Sequence, residues 1–259
     1  VSGGRDSMAL LYGTTRLRET LKIPAIVVAH LNHGLRNEAG RRDAELVNVT
    51  CRSLNVPAII SECAAGQLER DSRGSLEESA RIARYEFLRA TAEEQKTPLI
   101  ATAHYAADQA ETVLHNILRG TGLRGLRGIP ERRRLSEPVE LIRPMLNIAD
   151  SVIADYVRDN NIPFATDATN VDTRFTRNRI RHDLLPQLQR DFNMQAADAL
   201  IGLAAQTEEL LQCLDVIAEG LMKEAILEQT PEFCRLNASR LQQQPESILR
   251  HALPVLWQQ

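Results

Sequence analysis

Cysteine is scarce and scattered. Cys51, Cys63, Cys213 and Cys234 are the only four, and no two form a C-x-x-C pair. That spacing excludes a zinc ribbon, an iron–sulfur ligand run and a disulfide scaffold, and fits small, partly buried side chains in a reducing, cytoplasmic setting. No stretch approaches the roughly 20 apolar residues that a membrane helix needs, so no membrane partner is expected. No basic segment followed by an apolar one opens the chain, so export is not indicated. Lysine is nearly missing too, present only at Lys22, Lys96 and Lys223. Internal repeats, low-complexity tracts and long flexible linkers are absent, as is the G-x-x-x-x-G-K-[ST] phosphate loop.

What is present is arginine. The net charge of −3 does not itself suggest nucleic acid, but the distribution of charge matters more than the sum. Six arginines against one acid, Glu131, lie between Arg119 and Arg134, and four with no acid among them lie between Arg174 and Arg181. The planar guanidinium donates to phosphate in bidentate fashion. A solvated loop is the ordinary reading of a charge run. Two runs in Gly- or Asn-punctuated segments, with few acids nearby to pair them, favour RNA.

The 259 residues suffice for one large domain or two modest ones. Apolar runs over 23–31, 56–60 and 98–103 do not alternate with polar residues, so they read as strands buried on both faces. Between them the spacing turns helical. Ser75-Leu76-Glu77-Glu78 offers a capping box that opens a helix through about Glu94. Alternation of strand and helix implies a parallel sheet with crossover helices, whose ligands bind beyond the carboxyl ends of the strands. A short strand over 139–145 and a helix over 148–158 follow, then a polar, arginine-rich segment to Pro186. Leu200, Leu203, Leu210, Leu211, Leu214, Ile217 and Leu221 then trace a long amphipathic helix, with another over 248–257. The expected division is an α/β domain over 1–187 and a helical region over 188–259. Val1 reads as the last residue of a strand and Gln259 stops a helix abruptly, so both ends are expected to continue in a longer protein.

The strand ends are chemically loaded. Ser2-Gly3-Gly4-Arg5-Asp6-Ser7 places two glycines, which let successive N–H groups converge on an anion, before a helix whose positive end points at the same place. A turn with a helix cap is the plain alternative. His30-Leu31-Asn32-His33 follows one apolar run and His104 another. Asp108 and Glu111, spaced i, i+3, share a helix face and offer two carboxylates to Mg²⁺ or to an ammonium group. Their plain alternative is charge complementing a helix dipole.

The Ser2–Ser7 segment resembles the SGGxDS motif of the PP-loop ATP pyrophosphatases. In order along roughly the first 190 residues, further segments resemble signatures of the tRNA(Ile)-lysidine synthetase family. These are His30…His33-Gly34-Leu35-Arg36, Glu78…Ala83-Arg84-Tyr85, His104…Asp108…Glu111-Thr112 and Leu118-Arg119-Gly120-Thr121-Gly122-Leu123. Arg143-Pro144 and Asp167…Asn170…Arg177-Asn178-Arg179-Ile180-Arg181 complete the series. The family commonly has two histidines and then two aspartates where this chain has His104-Tyr105 and Ala107-Asp108, so no role carries over to Tyr105 or Ala107.

The resemblance implies a PP-loop (adenine nucleotide alpha hydrolase-like) α/β fold and a two-step reaction. ATP with Mg²⁺ would adenylate the C2 oxygen of the wobble cytidine in an isoleucine tRNA with a CAU anticodon, and the ε-amine of free L-lysine would then attack C2 and displace AMP to give lysidine. It further implies that Ser2, Gly3, Gly4, Arg5, Asp6, Ser7, His30 and His104 bind ATP, with Asp6 the Mg²⁺ ligand. Asp6, Arg84, Asp108 and Glu111 would be catalytic, and the last two would bind lysine. For Arg84 the plain alternative is an exposed ion pair with Glu77 or Glu78. Arg36, Arg119, Arg124, Arg127, Arg174, Arg177, Arg179 and Arg181 are the candidates for tRNA phosphates, and a homodimer is left open. A tRNA thiolase should carry a usable cysteine pair, and a glutamine-dependent ligase needs an amidotransferase unit; neither signal is here. A non-catalytic RNA-binding module is the rival of a different class.

Overall fold

The computed structural model describes residues 1–34, 37–63, 76–166, 176–230 and 232–253. Arg36, Ser75, Asp167, Asn170 and Arg174, together with residues 254–257 of the last expected helix, lie outside them.

Strand β1 (Val28–Asn32) pairs in parallel with β2 (Ala58–Glu62), in register from Val28 opposite Ala58 to Asn32 opposite Glu62. Helix α2 (Asn37–Ser53) makes the crossover that parallel pairing demands. Helix α3 (Leu76–Glu94) leads to β3 (Leu99–Ala101), and α4 (Ala106–Leu118) and the single-turn α5 (Leu123–Leu126) follow. Strand β5 (Glu140–Ile142) pairs in parallel with β3, and β4 (Arg132–Arg134) adds to its other edge in antiparallel sense. The expected parallel sheet is therefore two hydrogen-bonded pieces among the described residues, one of them mixed. Helix α1 (Arg5–Arg16) precedes β1, and α6 (Asp150–Asp159) follows β5.

The main core forms where these elements meet. Met8 and Leu11 of α1 pack with Val28 of β1, Val47 and Cys51 of α2, and Ile153 and Val157 of α6. Each such side chain, fully buried, contributes roughly 1.5–3 kcal/mol. Val1 lies beside β1: its amino group donates to the Ala29 carbonyl at 2.7 Å.

Beyond residue 175 the chain is mostly helical. Helix α7 (Thr176–Arg179) runs into a π-helical turn (Ile180–Leu184) and α8 (Leu185–Asp191), then the 30-residue α9 (Ala196–Ala225). Ala110 and Leu114 of α4 pack with Ile180, Leu185 and Leu200, so α4 joins the α/β layer to the helical region. A hairpin of β6 (Ile226–Gln229) and β7 (Cys234–Leu236) interrupts the expected helical pattern before α10 (Ala238–Gln242) and α11 (Glu246–Ala252). No described helix is long and apolar enough to cross a membrane.

Candidate active site

A cleft of about 680 Å³ opens beyond the strand ends, and Ser2, Gly4, Asp6, Ser7, Arg84, His104 and Asp108 are among the residues lining it. The Ser2–Ser7 segment is a tighter turn than expected, because α1 already begins at Arg5 with Gly4 as its N-cap. Gly3 has φ +92°, a left-handed conformation that L side chains rarely adopt. Its carbonyl accepts from Ala165 N–H at 2.9 Å, which pins the turn from outside. From within, the Ser7 hydroxyl donates to the Gly4 carbonyl at 2.9 Å and accepts from Ser2 N–H at 3.1 Å. The N–H groups of Arg5, Asp6 and Ser7, in the first turn of α1, have no intrahelical acceptor and carry the positive end of the helix dipole. Such a turn can receive an anion.

The Arg5 side chain is turned to acids of its own chain. Its Nε donates to Asp6 Oδ1 at 2.8 Å and its Nη2 pairs with Asp150 of α6, which leaves its backbone N–H as the group it offers to the turn. Burial pushes the Asp6 carboxyl above its usual range, opposed by the Arg5 guanidinium. Arg84 enters the cleft from α3 and its Nη2 lies 3.4 Å from His33 Nε2. Glu78, one of the two partners a surface role offered, is instead taken by Arg81 at 3.0 Å. Burial holds the Arg84 guanidinium below its ordinary pKa. His30 Nδ1–H donates to the Val1 carbonyl at 2.8 Å, a direction set by the acceptor-only carbonyl. Burial, with Arg143, Arg177 and Arg84 in support and Asp108 opposing, pushes His104 down to about 4, so the ring is neutral at physiological pH.

The acid pair differs from expectation. Asp108 lines the cleft, and its Oδ2 accepts from Tyr105 N–H at 3.1 Å, so it also caps α4. Glu111 does not line the cleft: it is 1% exposed and lies beneath Arg177 and Arg181. Arg177 reaches Asp108 at 3.0 Å and Glu111 at 3.2 Å, while Arg181 pairs with both acids. The expectation that these two arginines lack acids is therefore corrected. The acids come from α4, far away in sequence but adjacent in space, and both arginines line the cleft instead of extending from a loop.

The other arginines divide. Arg127 pairs with Glu208 of α9 at 3.6 Å, Arg132 with Glu140 at 3.0 Å and Arg134 with Glu137 at 2.5 Å. The segment between Arg119 and Arg134 is thus part strand and part helical turn, and three of its arginines have acid partners. Arg119, Arg124 and Arg179 are exposed and lie outside the cleft lining.

Sequence reasoning passed over Asn32 and Asp150. Asn32 is buried in the cleft wall, donating to Glu62 at 3.2 Å, and a Cβ at Gly40 would lie 2.4 Å from its Oδ1. Its place just beyond an apolar run was the available signal. Asp150 carried none, since its partner Arg5 lies 145 residues away.

Residues 1–188 match the model of the PP-loop domain family, and with that match on about three-quarters of its length the chain is placed. It belongs to the PP-loop family. Among curated proteins, it is 43% identical to the tRNA(Ile)-lysidine synthase of Thermotoga maritima over 81% of this chain and 49% of that protein. It is 40% identical to the tRNA(Ile)-lysidine synthase of Symbiobacterium thermophilum over 87% of this chain and 45% of the relative. The chain spans about half the length of these relatives. Among solved structures it is similar to the U34-tRNA thiolase NcsA of Methanococcus maripaludis, described with its [4Fe-4S] cluster. The TM-score is 0.63 at 15% identity, covering 80% of this chain and 70% of that one, a likeness of fold alone.

Proposed function

We propose that this PP-loop chain is the ATP-using catalytic part of a tRNA(Ile)-lysidine synthase. The observation that carries the reading is one cleft lined by the anion cradle of Ser2–Ser7, the Arg84 guanidinium and the Asp108 carboxylate. In the proposed reaction the C2 oxygen of the wobble cytidine attacks the α-phosphorus of ATP and pyrophosphate leaves. The ε-amine of lysine then attacks C2, AMP departs, and the amine loses its proton.

The cradle N–H groups and the Ser2 and Ser7 hydroxyls hold phosphate oxygens in this reading. Arg84 meets charge developing on the transferred phosphate. Neutral His104 packs against the nucleotide without adding a cation. Asp108 receives the lysine ammonium and lies where it can take up the proton, because only the neutral amine is nucleophilic and its free pKa is ~10.4. Glu111, sealed below, sets the field around Asp108 without touching substrate. Mg²⁺ is held by one or two carboxylates plus substrate phosphates, which Asp6 at the mouth of the cradle fits; when bound there it neutralises phosphate charge. The extruded anticodon base enters the same cleft, as base-modifying enzymes require.

The test is pyrophosphate release from ATP, assayed with lysine and isoleucine tRNA singly and together. Release that needs both supports the reading. Nucleotide binding without turnover under any combination leaves an RNA-binding module and overturns it.

A further inference from the structure

Two arginines on two acids are unequally placed. Arg181 gives Nε and Nη2 to Glu111, the latter at 3.0 Å, and Nη2 also to Asp108 Oδ1 at 3.0 Å. Arg177 makes one contact with each acid, and its side chain is 43% exposed against 33% for Arg181. Glu111, at 1% exposure, needs a cation in every state, because an uncompensated buried charge is strongly disfavoured. Arg181 alone meets that need. Asp108 lines the cleft, and its Oδ1 carries two guanidinium groups at once. Removal of Arg177 therefore leaves both acids paired and frees one acceptor direction on the cleft side.

We propose that Arg177 is a place-holder in the ammonium subsite, occupying Asp108 until a polyanion at the cleft draws it away. The proposal rests on the reading that the incoming amine is lysine. An ammonium and the Arg177 guanidinium compete for one carboxylate oxygen, so the amine binds only the fraction of molecules in which Arg177 has left. RNA phosphate is the alternative partner for a guanidinium that already lines the cleft. Amine and RNA thus bind with positive coupling, and the coupling is reciprocal. Arg181 is a positioning residue by contrast, holding Glu111 and the start of the π-helical turn in place.

Calorimetric titration of L-lysine into the free protein decides the matter. Arg177→Gln binds lysine about ten-fold more tightly than the wild type, the scale of one charge-assisted hydrogen bond. A saturating anticodon stem–loop RNA raises wild-type affinity by a similar factor and leaves Arg177→Gln unchanged. Equal lysine affinity in wild type and Arg177→Gln, or no effect of the RNA on the wild type, overturns the place-holder role. The wild-type half of the RNA arm uses no variant, so absence of coupling there overturns the role even where Arg177→Gln folds poorly. Lysine-dependent pyrophosphate release with unshifted affinities removes the place-holder and keeps the lysine reading. Pyrophosphate release indifferent to lysine, with no lysine heat in any state, removes both.

Discussion

Gly3 shows how one backbone angle sets the turn proposed to hold nucleotide phosphate. A Cβ there would meet Asp43 only at ordinary van der Waals distance, 3.5 Å, so crowding is not the constraint; φ +92° is. Gly3→Ala should cost ~1–2 kcal/mol of stability, the left-handed penalty for an L residue. It should also weaken ATP binding, as the turn relaxes and its N–H groups splay. Urea unfolding and nucleotide titration on the same sample check both, and an unaltered affinity would show that the turn does not hold phosphate. In the proposed reaction Asp108 receives the amine and takes no part in the cradle. Asp108→Asn should therefore abolish lysine-dependent turnover while nucleotide affinity holds within a few-fold; an equal loss of both would reassign Asp108 to Mg²⁺. For His104 the folded ring resists protonation, with its value pushed down to about 4 from an ordinary 6.5. Across that window the unfolded chain binds the extra proton, so this group's contribution to stability falls as pH drops from about 6.5 towards 4. Nitrogen-15 shifts of the ring give the midpoint directly, and His104→Gln should flatten the stability profile between those pH values.

Elements explain which parts of this site were legible in sequence. The Gly pair ahead of a helical pattern, the apolar runs and Asp108 at a helix start are local signals, and the structure keeps them: α3 spans Leu76–Glu94, as its spacing requires. β1 came out shorter than its apolar run, since Pro24 has no N–H for a ladder, and β2 is shifted two residues along its run, beginning just after Pro57. What failed was pairing at a distance. Arg177 and Arg181 read as loop cations because their acids lie 66 to 73 residues away on α4. The hairpin β6–β7 was missed because its strands are short and exposed, with no alternation to betray them. Correcting the arginines changes the RNA prediction. Arg181 cannot be neutralised without disturbing Glu111, and Arg177 shares Asp108 with it, whereas Arg119, Arg124 and Arg179 are exposed and stand apart from both acids. Replacing those three with Gln should flatten the slope of log affinity for tRNA against log salt by roughly 0.7–0.9 for each phosphate no longer neutralised. ATP affinity should not move. An unchanged salt slope would return them to the solvent.

At the scale of the whole molecule, α4 is the shared wall. Its N-terminal turn carries Asp108 into the cleft, while Ala110 and Leu114 pack on Ile180, Leu185 and Leu200 of the helical region. The same helix meets α7 and the π-helical turn through Glu111, and α9 is tied to the loop after α5 by Arg127 and Glu208. An apolar seam and two sets of ion pairs thus join the PP-loop layer to the helices that follow it. Leu114→Ala tests whether that seam supports the site. Leu114 is 8% exposed, and truncating a buried leucine costs about 2–5 kcal/mol when the surroundings cannot collapse into the space. Because α4 belongs to both layers, the loss should appear as one cooperative thermal transition at lower temperature and not as separate melting of the helical region. Lysine-dependent turnover should fall further than nucleotide affinity, since the cradle belongs to α1 and Asp108 to α4. Calorimetry and turnover on the same variant give the answer. Two resolved transitions with an unaffected site would mean that the helical region rests on α4 without positioning it.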